Sequence, residues 1–312
     1  MQNEKKATRL GYGQALADLG GKYNFCVLDA DLSKSTMTDL FRQQYPDRFY
    51  NCGNAEQNMM STAAGIATTG IPVFASTFAM FAAGRAYEQV RNSIAYPELN
   101  VKIGASHAGI TVGEDGATHQ CCEDIALMRT LPGMNIICPA DFTEAYLATE
   151  AALKIDGPVY LRLGRLNVPV IFDITTHKFE FGKAAVIADG ADVAIFATGV
   201  MVAAAIEARA ALSAEGIDAA VVNFSTIKPL DEKAIIHFAS KCGKIVTAEE
   251  HSIIGGLGSA VAEVIAEKQP AKLSRLGMND EFGRSGKAAE LLDVFGLNAE
   301  GIVKKVRGIV GK

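Results

Sequence analysis

The sequence of 312 residues is 49% hydrophobic and carries a formal net charge of −5, with no run or patch of basic residues. That length suits about two domains, the apolar fraction suffices for real cores, and the mild acidity gives no electrostatic case for nucleic acid or an anionic membrane. The longest apolar runs, near 191–206 and 217–224, are too short to span a bilayer, and the opening "MQNEKKATRL" lacks the apolar stretch of a signal peptide. Six cysteines (Cys26, Cys52, Cys121, Cys122, Cys138, Cys242) show no metal-binding spacing, so a reduced, cytoplasmic chain is expected.

In chain order, β-branched runs alternate with segments of helical spacing. "FCVLDA", "PVFAS", "NVKIGAS", "NIICPA" and "PVYLRL" read as strands in the first half, separated by helical patterns at 7–20, 56–68, 82–94 and 142–154. In the second half "DVAIFATG", "AAVVNFS" and "KIVTAEE" alternate with helical patterns at 200–214 and 257–268. Strands separated by helices imply parallel sheets covered on both faces. The rhythm breaks over about 165–190. The expected fold is therefore α/β with two doubly wound domains, at 1–165 and a smaller one at 190–312, joined by a linker at 166–189.

Ligands of open parallel sheets bind beyond the carboxyl ends of the strands. Just there the sequence turns polar and puts Asp29, Asp31, Ser33, Ser35, His107, Asp115, His119 and Arg165 on one rim. Asp31 or Ser35 could equally cap the following helix. His177 and His237 read as background and His251 as ambiguous. The connection 104–120 is harder to explain as scaffold, because it holds four glycines, two acids and two histidines. Long glycine-rich connections inside compact domains are usually functional, and imidazoles beside a carboxylate suit proton transfer near neutral pH. Metal binding is the lesser alternative, since no short histidine spacing occurs.

In "YNCGNAEQNMMSTAAGIATTG" the one acid, Glu56, stands at the mouth of a nearly charge-free helix. An acid in a first helical turn ordinarily complements the helix dipole, for about 0.3–1 kcal/mol. At the mouth of a buried helix it is desolvated instead, which favours a carboxyl that keeps its proton. Such a group can exchange a proton with a weakly basic ring nitrogen, the service required by the aminopyrimidine of thiamine diphosphate.

The segments "ATRLGYGQAL", "DADLSKST", "GNAEQNM", "STFAMFAAGRAYEQVR", "SHAGITVGEDGATHQ", "LPGMNIICPAD", "YLRLGRLNVP" and "AEEHSIIGGLG" together resemble the C-terminal half of a transketolase, its pyrimidine-binding domain plus its C-terminal domain. The resemblance implies that Glu56 is the cofactor-activating glutamate, that Phe78 and Phe81 stack on the aminopyrimidine, and that Asp31 lies near the cofactor where two subunits meet. Without it, two phenylalanines three apart would read as a core stripe. It also implies that His107, Asp115 and His119 contact sugar hydroxyls and relay protons, and that Arg9, Ser35 and Arg165, with His107, hold the substrate phosphate. Two departures stand out: Gln57 where the family commonly has His, and "AAG" at 82–84 where a third aromatic is expected, for which Tyr87 is the candidate substitute.

The family's Gly-Asp-Gly segment, which holds diphosphate and magnesium, does not occur in this sequence. The glycines of "IIGGLGSAV" match a dinucleotide fingerprint only superficially. The resemblance therefore implies half an active site. A separate N-terminal chain would supply the ligands of magnesium and none would come from this one, and the two chains would assemble as a heterotetramer. The implied reaction moves a two-carbon ketol (glycolaldehyde) unit from a ketose phosphate to an aldose phosphate. Rivals within the thiamine enzymes are the beta subunit of a 2-oxoacid dehydrogenase and a deoxyxylulose-phosphate synthase. A scaffolding subunit without catalysis is the rival outside them.

Overall fold

A computed structural model describes residues 4–311. Seven strands form the first sheet, in the order Thr226–Lys228, Asn135–Ile137, Val159–Arg162, Val101–Ser106, Val73–Phe78, Cys26–Asp29 and Phe49–Asn51. All neighbouring pairs are parallel except the first, where Thr226–Lys228 runs antiparallel to Asn135–Ile137. The second sheet has five strands, Lys272–Met278, Lys244–Ser252, Val193–Ala197, Ala219–Asn223 and Ala185–Ala188, with only the last antiparallel. An antiparallel pair, Lys5–Ala7 with Asn167–Pro169, ties the start of the chain to the end of the first unit.

The strands read from the sequence are present; most are buried along their length as continuous apolar runs require, while Asn135–Ile137 and Lys244–Ser252 are partly exposed at their ends. Short edge strands escaped the reading because three or four residues carry no periodicity: Phe49–Asn51, Ala185–Ala188 and Thr226–Lys228. The segment 166–189 is thus not plain coil, since it supplies a strand of the small ribbon and an edge of the second sheet.

Helices cover both faces of the sheets. Thr8–Gly20 and Phe142–Lys154 pack side by side behind the first sheet, so closely that a Cβ on Gly11 would lie 2.3 Å from the Phe142 carbonyl oxygen. Tyr12, fully buried on the first of these helices, shares a 2.7 Å hydrogen bond with Ser76 of the sheet. The helix expected over 82–94 departs from plain α geometry. It is π-helical at Phe81–Arg85, α-helical at Tyr87–Gln89 and π-helical again at Val90–Ala95. Among the described residues no helix is long and apolar enough to cross a membrane.

Candidate active site

The sheet order sets the site. Across the middle of the sheet, Val159–Arg162, Val101–Ser106, Val73–Phe78 and Cys26–Asp29 lie side by side and point the same way. Their carboxyl ends therefore present, in a row, the Arg165 loop, His107, Phe78 and the Asp31–Ser35 turn. Glu56 starts the helix Glu56–Ala67 that follows the outermost strand, Phe49–Asn51.

Glu56 is 1% exposed. Its Oε2 accepts a hydrogen bond from Arg85 Nη1 at 2.9 Å, while its Oε1 is buried and has no hydrogen-bond partner among the described residues. A buried carboxylate oxygen left unpaired is costly, so its retention points to a donor brought by something else. The Arg85 guanidinium lies 4.3 Å over the Phe81 ring as well, both residues lying in one π-helical turn. Such turns are frequent at functional sites.

Phe78 ends its strand and faces Phe81, with ring centroids 5.9 Å apart and planes 14° from parallel. His107 stacks on Phe78 at 3.8 Å, and His119 meets it edge-on at 6.4 Å. His119 meets the edge of Phe81 at 5.3 Å and bonds Thr118 Oγ1 through Nδ1 at 2.9 Å. Phe81 is thus flanked by a cation and an imidazole, and Phe78 by two imidazoles. Tyr87 does not join this group; its hydroxyl reaches the Leu127 carbonyl and Thr130 on a different helix.

His107 is buried, at φ +57°, and its Nδ1 bonds Ser106 Oγ at 3.0 Å. Burial pushes its pKa down to about 3, with Arg9, Arg165 and His119 adding positive charge nearby. The ring is therefore neutral at physiological pH, able both to donate and to accept. Arg9 donates to the Ser35 carbonyl at 2.6 Å, and its own pKa is lowered by burial and by Arg165. Arg165 donates to the Val112 carbonyl and to Glu114 at 3.1 Å. Two guanidiniums beside a neutral imidazole, with Arg165 close enough to disfavour the charge on Arg9, make a setting suited to an anion.

Other expected residues sit differently. Asp31 is exposed at φ +64° and accepts from Asn51 at 2.8 Å. Neither Asp31 nor Ser35 caps the short helix Ser33–Thr36; Asp29 does the local work instead, accepting from the Leu32 N–H and from the Thr36 and Thr38 hydroxyls. Asp115 is exposed in the loop and has no side-chain hydrogen bond among the described residues. His251 lies fully buried between the domains, 3.9 Å from Asp124 and 3.8 Å from Glu249. Arg85 was missed altogether; the signal available was its position four residues after Phe81, in a helix just above an acid without an evident counter-charge.

Comparisons with known proteins agree with this geometry. The family model described as the transketolase pyrimidine-binding domain matches residues 4–170, and the transketolase C-terminal domain matches 182–302. A Methanocaldococcus jannaschii protein named "Putative transketolase C-terminal section" is 53% identical over 306 residues, covering 96% of this chain and 95% of that one. The human transketolase is 38% identical over 99% of this chain but only 50% of its own length. A solved structure titled "Split gene transketolase, inactive beta4 tetramer" superposes with a TM-score of 0.90 at 49% identity, covering 98% of both chains. With two domain models in the expected order and relatives aligned over nearly its full length, the chain belongs to the transketolase family and comprises its pyrimidine-binding and C-terminal domains.

Proposed function

We propose that this chain is the C-terminal subunit of a two-chain transketolase that moves a two-carbon ketol unit between sugar phosphates and works only with a separate N-terminal subunit. The observation that carries the reading is Glu56: a deeply buried carboxylate with one oxygen bonded to Arg85 and the other unpaired, beside near-parallel Phe78 and Phe81 rings. This set fits the aminopyrimidine end of thiamine diphosphate, with Glu56 Oε1 offered to a ring nitrogen and the phenylalanines to the ring faces. When bound, that cofactor supplies the carbon nucleophile for a ketose carbonyl. Glu56 holds and returns the proton at the pyrimidine nitrogen.

His107, neutral and fixed by Ser106, and His119 orient sugar hydroxyls and move protons between them. Asp115 joins them from its exposed position when sugar is bound, and Asp31 faces the contact between subunits. Arg9, Arg165 and Ser35 hold the anionic end of the substrate. The absence of a Gly-Asp-Gly segment from the sequence supports diphosphate and magnesium binding by the partner. A relative described as an inactive β4 tetramer of a split-gene transketolase supports both self-association and dependence on another chain.

The sugar itself is a separate question. One relative, 44% identical, is named as a subunit of a 6-deoxy-6-sulfo-D-fructose transketolase, and another, 36% identical, as a subunit of an apulose-4-phosphate transketolase. Two arginines at the anion end suit a terminal phosphate or a terminal sulfonate alike.

Calorimetry with thiamine diphosphate and magnesium tests the two-chain reading, first on this chain alone and then on its mixture with an N-terminal partner. Tight binding is expected only in the mixture. Tight binding to this chain alone would overturn the split reading. In the mixture, Glu56→Ala is expected to lower ketol transfer by about 10²–10⁴-fold, the usual worth of an acid–base group. Unchanged turnover would mean that the chain binds but takes no part in catalysis.

A further inference from the structure

The loop from Gly109 to Gln120, which follows His107 and carries Asp115 and His119, is held largely by the second domain. At its root the Thr111 N–H donates to Glu250 Oε1 at 2.6 Å. The Glu250 carboxyl lies against Gly109, where a Cβ would come within 2.3 Å of its Cδ and where φ is +77°. Next to it the Ser252 N–H donates to the Cys122 carbonyl at 2.7 Å. Arg162 Nη2 donates to the carbonyls of both Cys121 and Glu250, at 3.3 and 2.9 Å, and so locks the loop's end to the same strand.

At the tip a second segment of the second domain takes over. Ser285 Oγ donates to the Glu114 carbonyl at 2.7 Å, and Gln120 Nε2 donates to the Arg284 carbonyl at 3.0 Å. Gly116 makes room for the approach, since a Cβ there would lie 2.7 Å from Ser285 Oγ. Gly109, Gly113 and Gly116 all have positive φ, a backbone with much freedom to lose on ordering. Within the first domain the loop is held by Gly109 N–H to the Cys121 carbonyl, short turns at 110–120, Gln120 Nε2 to the Ile110 carbonyl at 3.0 Å, and Arg165 on the Val112 carbonyl and Glu114. The contacts from the second domain add anchors at its root and its tip.

We propose that the second domain positions the substrate-facing loop, with Glu250 at its root and Ser285 at its tip as positioning residues. The proposal rests on the sugar-phosphate reading of the rim, and it gives the second domain a part in catalysis besides assembly. Misplacing catalytic groups by about 1 Å can cost about 10²-fold in rate, so a loop fixed from another domain bears directly on transfer.

Hydrogen exchange by mass spectrometry on the full chain tests the positioning without requiring activity. Glu250→Ala leaves the Thr111 N–H buried without an acceptor, and amides of 109–120 are expected to exchange about tenfold faster, the equivalent of one lost hydrogen bond. Glu250→Gln keeps an acceptor and should restore protection, a rescue that loss of bulk alone would not show. Ser285→Ala changes only an exposed hydroxyl, so it decides the matter even if Glu250→Ala fails to fold; it should loosen the tip, around 113–118, and leave the root protected. In the assembled enzyme both variants should raise KM for the ketose phosphate several-fold while thiamine diphosphate affinity stays unchanged. Wild-type exchange across 109–120 in Ser285→Ala and in a folded Glu250→Ala would overturn the proposal. An assembled wild-type enzyme that transfers no ketol unit would overturn the functional reading instead, and the exchange result would still stand on its own.

Discussion

Arg85 ties Glu56 to Phe81: one Nη bonds the carboxylate and the guanidinium plane covers the ring. Replacing it by glutamine keeps a donor but removes the charge, which leaves the Glu56 carboxylate buried without a counter-ion. Arg85→Gln is therefore expected to reduce turnover in the two-chain enzyme by about 10–100-fold, corresponding to the ~1.5–3 kcal/mol of a charge-assisted bond. Measuring kcat and thiamine diphosphate affinity side by side, with Arg85→Lys as the conservative control, separates loss of positioning from loss of binding. Wild-type kcat in Arg85→Gln would show the ion pair to be incidental.

The neighbouring residues were legible and Arg85 was not, for a physical reason. Glu56 and His107 stand immediately at a helix start and a strand end, positions that alternating strand and helix patterns locate well, whereas Phe78 was singled out only through the family resemblance. Arg85 meets Glu56 from another helix, 29 residues on in sequence, and the apolar spacing of 82–94 does not reveal that pairing. The exposed placement of Asp115 was equally hidden, because the course of a glycine-rich loop depends on what packs on it.

At the scale of elements, the site depends on how two helices approach. Thr8–Gly20 carries Arg9 in its first turn, and Gly11 lets it touch Phe142–Lys154 backbone to side. Gly11→Ala would press a methyl into the Phe142 carbonyl, a backbone atom that cannot rotate away. A loss of about 1–3 kcal/mol is expected, read as a lower denaturant midpoint, together with a raised KM for phosphorylated donors as Arg9 shifts. Stability and KM equal to wild type would mean that the helices separate at no cost. The helical patterns at 7–20, 56–68, 142–154, 200–214 and 257–268 match helices to within a residue or two, whereas Glu232–Cys242 and Ala299–Val310 of the second domain were not among the patterns read. The strands at sheet edges and the fold-back of 282–287 onto the loop at 113–120 could not be read, since they arise from contacts between distant parts of the chain.

For the whole molecule, the seam between the domains is polar and closely packed. Arg162 and Asp124 form a buried ion pair at 2.9 Å, with Glu249, Glu250 and His251 buried around them. Burial pushes Glu249 and Glu250 up to about 7 and His251 down to about 4, and His107 on the rim is lowered to about 3. Between about pH 4.5 and 6.5 the unfolded chain takes up protons on the two histidines that the folded chain refuses, whereas the folded chain keeps two glutamate protons that the unfolded chain releases. These contributions oppose each other and nearly cancel. Below about pH 4.5 the two glutamates are protonated in both states, so of these four groups only the histidines still contribute, and that contribution falls with acid. From about 6.5 to 7 the two glutamates dominate and stability falls as pH rises, opposed in part near pH 7 by buried Lys102, which burial lowers to about 7. Denaturant midpoints measured from pH 3.5 to 7.5 should show that shape. In a Glu249→Gln, Glu250→Gln double variant the fall from 6.5 to 7 should vanish, and its persistence would assign the slope to other groups.

The strand Thr226–Lys228 completes the first sheet from within the second half of the chain, about ninety residues after the strand it covers. During synthesis the first domain therefore emerges with the edge of Asn135–Ile137 open, and it stays open until the ribosome has passed residue 228. Bare edges of this kind invite pairing with other chains. The period of greatest risk for a newborn molecule thus falls late in translation, and cutting the gene between the two domains would make that interval permanent.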